Sequence, residues 1–566
     1  MMSRRLLGFL ALIACGFFPL QSQAVGLVKT GVFAVRSFGA TGDGKTLDTV
    51  AINRAIDAAA ESGGGVVEFS AGEYLCYTIR LKSHVTLHLG PGAVIVGAEP
   101  PPEGQPGGYD APEPSEWAWY QDFGHTHFKN SLIWGDGLTN VAITGPGMIY
   151  GRGLSRGNTR VALPVGVQLP SPEGNPPDAL EADGVYEVTP RPELKAGPFN
   201  YPNAKDRKAD GVGNKAIALV RCRNVTLRDF TILHGGHFGI LATGVDNLTI
   251  DNLLIDTNRD GIDVDACSNV RITNTSVNSP TDDGICLKAS HALGLKKATE
   301  NVTIANCFVS GFDEGSLLDG TRKRTMKKRG GTMGRIKLGT EAGGGFRNIA
   351  ISNCVFEYCR GIALEQVDGG VMEDIAITNV TMRDVNNAPI FIRLGARLRA
   401  PETTEPGKVR RILISNLVAW NVAPEHGILI AGLAGHPVED VVISNVQIFY
   451  RGGGTAEQAA REVPAYAKDY PDPWNFGTMP SWGIFARHVK NLRVSDVELR
   501  LMNADARPAV FLEEAVDARF SDVRLGETKE ARGLWALRGV SGLVAREVTG
   551  LEDGNVAEVG AEKVVR

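Results

Sequence analysis

Two short stretches carry the residues best suited to chemistry: DGIDVDA from Asp260 and DDGICLKA from Asp282. Both place a carboxylate immediately before a glycine, and Asp282 adds a second acid beside Asp283. On neighbouring strands, Asp260, Asp282 and Asp283 crowd together. Like charges that close disfavour simultaneous ionisation and raise at least one pKa. A protonated acid beside an ionised one is the pair that breaks glycosidic bonds: one protonates the departing oxygen, the other activates water. Clustered carboxylates are also ligands for calcium, and a polar ladder on a solvated surface is the inert alternative.

Further on, TRKRTMKKRGGTMGRIKLGTE from Thr321 is the densest basic run in a chain of net charge −5. Most of 322–329 reads as a solvated loop. Arg335 and Lys337 differ, because they flank Ile336 in strand alternation and so point to one face. That pair suits a carboxylate-bearing sugar, with the guanidinium able to bind bidentately. A negative patch beside a positive clamp points to a uronate polymer. The overall negative charge argues against nucleic acid as a partner.

These groups must be positioned by a repeat. One pattern recurs from the middle of the chain to its end: NVTLRDFTI from Asn224, NLTIDNLLI from Asn247, NVRITNTSV from Asn269 and NVTIANCFV from Asn301. It continues through NIAISNCVF from Asn348 and DVVISNVQI from Asp440, and fades by Asp517. The shortest spacings are about 22–26 residues, as in a solenoid. Each unit alternates apolar and polar residues, so it is strand. One unit cannot bury its apolar face alone, whereas units stacked at about 4.8 Å can.

The expected fold is therefore all-β, a right-handed parallel β-helix. A column of Asp229, Asn252, Asn274, Asn306, Asn353, Asn379, Asn416 and Asn445 supports it, since Asn tolerates the left-handed backbone of a sharp turn. Stacked Asn side chains can bond one another along the axis, so that column is structural.

A second strand in each rung begins at a glycine. Aligning on it gives Phe238, Asp260, Asp283, Glu314 and Arg360 as the preceding residues, so three successive rungs are expected to carry an acid. The N-terminal region, about 30–100, reads as the cap of the solenoid's open edge. In it a helix with Ile52, Ala55, Ile56 and Ala59 on one face is N-capped by Asp48 and ended by Gly63. Two stretches rich in Pro, Gly and charge, about 99–130 and 152–212, read as inserted loops walling a site, or else as disorder.

At these residues the chain resembles the family 28 glycoside hydrolases, the polygalacturonases and their relatives. Asn258-Arg259-Asp260 matches that family's N-T-D motif with the central residue changed, Asp282-Asp283 its D-D motif, and Arg335-Ile336-Lys337 its R-I-K motif. The opening FGATGDGKTLDTVAINRAI from Phe38 resembles the N-terminal segment of pectin-degrading β-helix enzymes.

The resemblance implies inverting hydrolysis of pectic uronate bonds, with no metal and no cofactor. It implies Asp282 as general acid, Asp260 and Asp283 as the pair that holds and activates water, and Arg335 and Lys337 as uronate binders. The family's G-H-G histidine falls on Glu314. Either Glu314 shares a proton with Asp282 or Asp283, or His237, or His291 just past Lys288, takes the histidine's place. Asn258, Lys288, His237 and Glu314 join the expected substrate-binding set. A rhamnogalacturonan-directed hydrolase, a pectate-lyase-like elimination enzyme using calcium, and a non-catalytic sugar-binding β-helix are the alternatives.

Arg4 and Arg5 precede an apolar run, Leu6 to Leu20, and Ser22-Gln23-Ala24 is a small-x-Ala cleavage pattern. Residues 1–24 are expected to be an export signal and 25–566 one β-helix domain. The product is expected to be secreted or periplasmic and monomeric, without a membrane span. Leu12-Ile13-Ala14-Cys15 resembles a lipoprotein cleavage box, which would leave a lipid on Cys15. The other seven cysteines have no metal spacing and are expected to be buried filling; Cys354 and Cys359 are the nearest pair that could bridge.

Overall fold

The computed structural model describes residues 31–566 apart from 103–104, 118–124, 156–210, 327–330, 402, 527–532, 557, 561–562 and 566. The expected signal segment, Cys15, most of the 152–212 insertion and Lys327 to Arg329 lie outside the described residues.

Alternation decides what goes inside. In Ser268–Thr273, Val270 and Ile272 are buried while Asn269 and Arg271 face out. The same position one rung before and after holds Leu248 and Val302, in parallel register. Repetition of that pairing builds three columns of strands. One runs through Phe238–Thr243, Asp260–Asp265, Ile285–Lys288, Ile336–Leu338 and Ile362–Gln366. A second runs through Asp246–Asp251, Ser268–Thr273 and Thr299–Ala305, and a third through Leu254–Asp256, Ser276–Asn278 and Phe308–Ser310. From Phe346–Glu357 onward the second and third columns share single bent strands. This is a right-handed parallel β-helix with one continuous apolar core.

The bends fall on the asparagine column. Asn252, Asn274, Asn306, Asn353, Asn379, Asn416 and Asn445 all have φ between 52° and 58°. Their side chains bond along the axis: Asn379 Nδ2 donates to Asn353 Oδ1 at 3.0 Å, and Asn416 Nδ2 to Asn379 Oδ1 at 3.1 Å. Asn274 instead donates to Asp251 Oδ1 at 2.8 Å, so the ladder borrows a neighbouring acid there. Asn379→Ala loses both bonds and keeps a Cβ in the left-handed region without the side-chain bonding that lets Asn sit there, where the backbone alone costs about 1–2 kcal/mol. Asn379→Gly keeps the backbone preference. Thermal unfolding is expected to rank the midpoints wild type, then Gly, then Ala.

The N-terminal helix Thr49–Glu61 buries Ala51, Ile52, Ala55, Ile56 and Ala59 against the first coils, as expected. Asp48 does not cap it with its side chain. Its backbone is already helical, at φ −90° and ψ −1°, whereas a capping side chain needs an extended residue. The carboxylate instead accepts from Thr41 N at 2.7 Å and Gly42 N at 2.9 Å, fastening the preceding turn. Cys76, Cys222, Cys267, Cys286, Cys307, Cys354 and Cys359 are free and buried, and Cys354 and Cys359 do not bridge. Among the described residues no helix is long and apolar enough to cross a membrane.

Candidate active site

The column of Asp260–Asp265, Ile285–Lys288 and Ile336–Leu338 gathers the charged residues. Ile262, Ile285 and Ile336 stack inward with no exposed surface. Arg335 and Lys337, on either side of Ile336, therefore point outward together. Gly261 N donates to Asp283 O at 3.0 Å and Gly284 N to Arg335 O at 2.9 Å, which sets Asp260, Asp283 and Arg335 on adjoining rungs.

One carboxylate oxygen each from Asp260, Asp282 and Asp283 lies within 4.8 Å of the others. Arg335 Nε donates to Asp283 Oδ1 at 2.7 Å, and Lys337 Nζ to Asp283 Oδ2 at 3.0 Å. Arg259 Nη2 donates to Asp282 Oδ2 at 2.6 Å. Asp283 N reaches Asp282 Oδ1 at 3.1 Å and Asp260 Oδ1 at 3.3 Å, so the three acids share one amide as well as one space.

Their environments push the acids apart. Burial, then the charges of Asp263 and Asp282, drive Asp260 well above the usual carboxylate range. Burial pushes Asp283 the same way, but Lys337 and Arg335 outweigh it and hold Asp283 far below that range. One acid is thus biased towards holding a proton and its neighbour towards ionisation. Three cations already reach these carboxylates, so a divalent ion would have to share or displace Arg259, Arg335 or Lys337. The oxygens are also closer than the ~6.5–9.5 Å between carboxyl groups typical of inverting hydrolases, so this spacing does not itself fix the stereochemistry.

The remaining expected residues separate. Glu314 is not in the acid column: the rung after Ile285–Lys288 is Ile336–Leu338, and Glu314 sits in the turn that follows Phe308–Ser310. The sequence DEG imitates DDG, but a rung's register is set by inward-facing aliphatics, and Ser316 stands where Ile262 and Ile285 turn inward. Glu314 Oε1 lies 2.6 Å from His234 Nδ1.

His237 is buried, with its ring 4.3 Å from that of Phe238 and nearly parallel. Burial, and next the Arg259 charge, hold it well below its ordinary pKa, which favours the neutral ring. His291 packs edge-on against Trp117 at 4.7 Å. Lys288 is enclosed, 3.2 Å from Glu341 Oε2 and 3.7 Å from Asp263 Oδ2, rather than presented to a ligand. Asn258 accepts from Thr281 Oγ1 through its carbonyl at 2.7 Å and its side chain at 3.0 Å, bracing the turn before Asp282. Arg322 and Arg324 are not simply solvated: Arg324 pairs with Asp384 at 2.7 Å and Glu357 at 3.0 Å, and stacks over Tyr358.

Sequence reasoning missed three participants. Glu365, wholly buried one rung on, lies 3.4 Å from Arg335 Nη2 and 3.6 Å from Lys337 Nζ. Burial pushes its pKa up even against those two cations. Tyr470 OH accepts from Lys337 Nζ at 3.1 Å. It belongs to a segment, 451–483, that folds over the outside of the same sheet. There Val463, Tyr466, Phe476 and Met479 cover Phe391, Leu429 and Phe485. Arg259, at the altered position of the N-T-D motif, holds Asp282.

Fold and site together define a right-handed β-helix bearing a divided carboxylate cluster on one sheet. Comparison with known proteins agrees with that class. The family model "Right handed beta helix region" matches residues 205–324, and "Rhamnogalacturonase A/epimerase, pectate lyase-like" matches residues 32–92.

The chain is 24% identical over 372 residues to the exo-poly-α-D-galacturonosidase of Dickeya chrysanthemi, a match covering 64% of this chain and 57% of that protein. The chain thus spans little more than half of that relative's length. It is 24% identical over 439 residues to a probable polygalacturonase of Vitis vinifera, covering 73% of each. In fold it is similar to the family 28 exopolygalacturonase of Yersinia enterocolitica, with TM-score 0.55 and 22% identity over 94% of this chain and 79% of that one. The resemblance to family 28 glycoside hydrolases read from the motifs is therefore also a resemblance over most of the chain.

Proposed function

We propose that this protein is an exported glycoside hydrolase that cleaves pectic uronate polymers or oligomers. The observation that carries this reading is the division of the cluster: Asp283 clamped ionised between Arg335 and Lys337, with Asp260 and Asp282 within 4.8 Å of it. Asp282 is the acid. It is the most exposed of the three, with 18% of its side chain accessible, and can reach a substrate oxygen.

In the reaction the bond from the anomeric carbon to the bridging oxygen breaks, and that oxygen takes the Asp282 proton. A water held by Asp260 and Asp283 forms the new bond to the anomeric carbon and gives its proton to that pair of carboxylates. Attack from the opposite face inverts the anomeric centre. The exo-acting relatives favour release of small products from a chain end, and the 451–483 segment supplies one wall of such a closed cleft.

Digestion of polygalacturonate in the presence of EDTA tests the chemistry. New reducing ends, no ultraviolet-absorbing unsaturated product and no loss of rate with chelator are expected. Chelator-sensitive formation of unsaturated product would instead show β-elimination. Defined pectic oligosaccharides then separate galacturonan from rhamnogalacturonan as the preferred chain. The proton magnetic resonance signal of the first-formed anomer reports inversion or retention. Export rests on the Leu6–Leu20 run and the Ser22-Gln23-Ala24 pattern; mass analysis of the mature N-terminus is expected to find Val25, whereas a lipidated Cys15 would mark an anchored form.

A further inference from the structure

We propose that Arg259, rather than Arg335 or Lys337, receives the substrate's uronate carboxylate, and that doing so releases Asp282 to act as the acid. This rests on the pectic hydrolase reading above and adds to it the recognition step.

Accessibility distinguishes the cations. Arg335 and Lys337 keep only 1% and 2% of their side chains exposed, and each is engaged by Asp283 and Glu365. Lys337 also donates to Tyr470. Arg259 keeps 16% exposed, beside Asp282 at 18%. An arriving carboxylate meets Arg259 first.

What it meets is an arginine already bonded to a carboxylate, Nη2 to Oδ2 at 2.6 Å. An arginine favours the ionised form of an acid beside it, and an ionised Asp282 has no proton to give. Exchange of Asp282 for the substrate's carboxylate on the same guanidinium removes that obstacle. Guanidinium geometry suits either carboxylate equally. Asp282 then takes a proton from solvent and passes it to the bridging oxygen.

The backbone is built for a side chain that lets go. Asp282 O accepts from Gly334 N at 2.7 Å and from Ser279 Oγ at 3.0 Å, so the residue stays in place when its carboxylate parts from Arg259 and keeps the contact of Asp283 N with Oδ1 at 3.1 Å. Among the described residues Asp260, Asp283 and Tyr470 also face Asp282, while His237 faces Arg259. Once Arg259 has turned away, the two acids disfavour a second ionised carboxylate between them. A neutral sugar does not compete for Arg259 and leaves the acid locked. The device selects chains whose uronate beside the cleaved bond carries a free carboxylate.

The test compares trigalacturonate with its methyl ester, in wild type, Arg259→Gln and Arg259→Lys. Wild type is expected to prefer the free acid at least ~10-fold in kcat/KM, the scale of one charge-assisted hydrogen bond. Arg259→Gln is expected to bring that ratio towards one, mainly by raising KM for the free acid, and Arg259→Lys to recover part of it. A wild-type ratio near one overturns the proposal. So does an Arg259→Gln enzyme that slows on both substrates while keeping the wild-type ratio, since Arg259 would then only position Asp282.

If Arg259→Gln is inert, calorimetric binding of trigalacturonate to Asp282→Asn with and without Arg259→Gln decides. An affinity loss of ~10-fold or more supports the exchange, and unchanged affinity overturns it. A wild-type enzyme that cleaves and binds neither compound refutes the pectic reading itself, a result distinct from any Arg259 outcome.

Discussion

Asp282→Asn is expected to lower kcat on polygalacturonate by about 10²–10⁴-fold, the usual contribution of a positioned general acid. The amide keeps the shape but holds no transferable proton, and its single oxygen can accept from only one of Arg259 Nη2 and Asp283 N, which meet separate oxygens of Asp282. The thermal midpoint is expected to stay level or rise. The loss of one ionic partner of Arg259 is set against relief of repulsion from Asp260 and Asp283, whose oxygens lie within 4.8 Å. Steady-state kinetics beside a melting curve check both halves. Full activity in Asp282→Asn would remove it from the acid's role. A variant that is both inactive and unfolded would indicate a structural one.

Arg335→Met is expected to destabilise the fold by about 3–5 kcal/mol, the typical cost of removing one partner from a buried ion pair. Arg335 sits between Asp283 and Glu365, and all three side chains are at most 1% exposed. Without it Lys337 alone must balance two buried carboxylates. The loss has a pH signature.

Asp283 has its folded pKa held far below its unfolded value, by Lys337 and Arg335 against the push of burial. Its stabilisation is therefore present above the unfolded value, about 3.9, and is lost as pH falls towards the folded one. Glu365 is raised by burial and so favours the folded state at low pH. Removing Arg335 weakens the first contribution and enlarges the second. The gap between wild-type and variant midpoints should be widest near neutrality and narrow below about pH 4. Glu365→Gln in the Arg335→Met background restores a one-to-one balance of Asp283 with Lys337, and is expected to recover part of the loss. A double variant no more stable than the single one would mean that Glu365 is not part of the charge set.

Features governed by short range were readable in the residues themselves. The asparagine column announced its turns because few other side chains sit comfortably at φ near 55°. Arg335 and Lys337 were placed on one face by strand alternation alone, and both indeed meet Asp283. Glu314 misled because DEG is a local copy of DDG, while register across the long excursion between Ile285 and Ile336 is decided by which aliphatics close the core. Asp48 looked like a cap from its type and position, but its backbone conformation determined otherwise. Glu365 and Tyr470 carried no local sign. Each joins the site through tertiary contact, Tyr470 from 133 residues beyond Lys337. The changed residue in Asn258-Arg259-Asp260 was visible as a departure, and only its distance to Asp282 gave it meaning.

Because each coil touches only the coils on either side, heat should loosen this protein as a rope unlays, from its ends inward. The coils that carry Asp260, Asp283 and Lys337 have further coils stacked on both sides. These clustered acids and cations therefore sit in the span that opens last, and the flanking coils serve as ballast that can be partly lost while the centre keeps its shape.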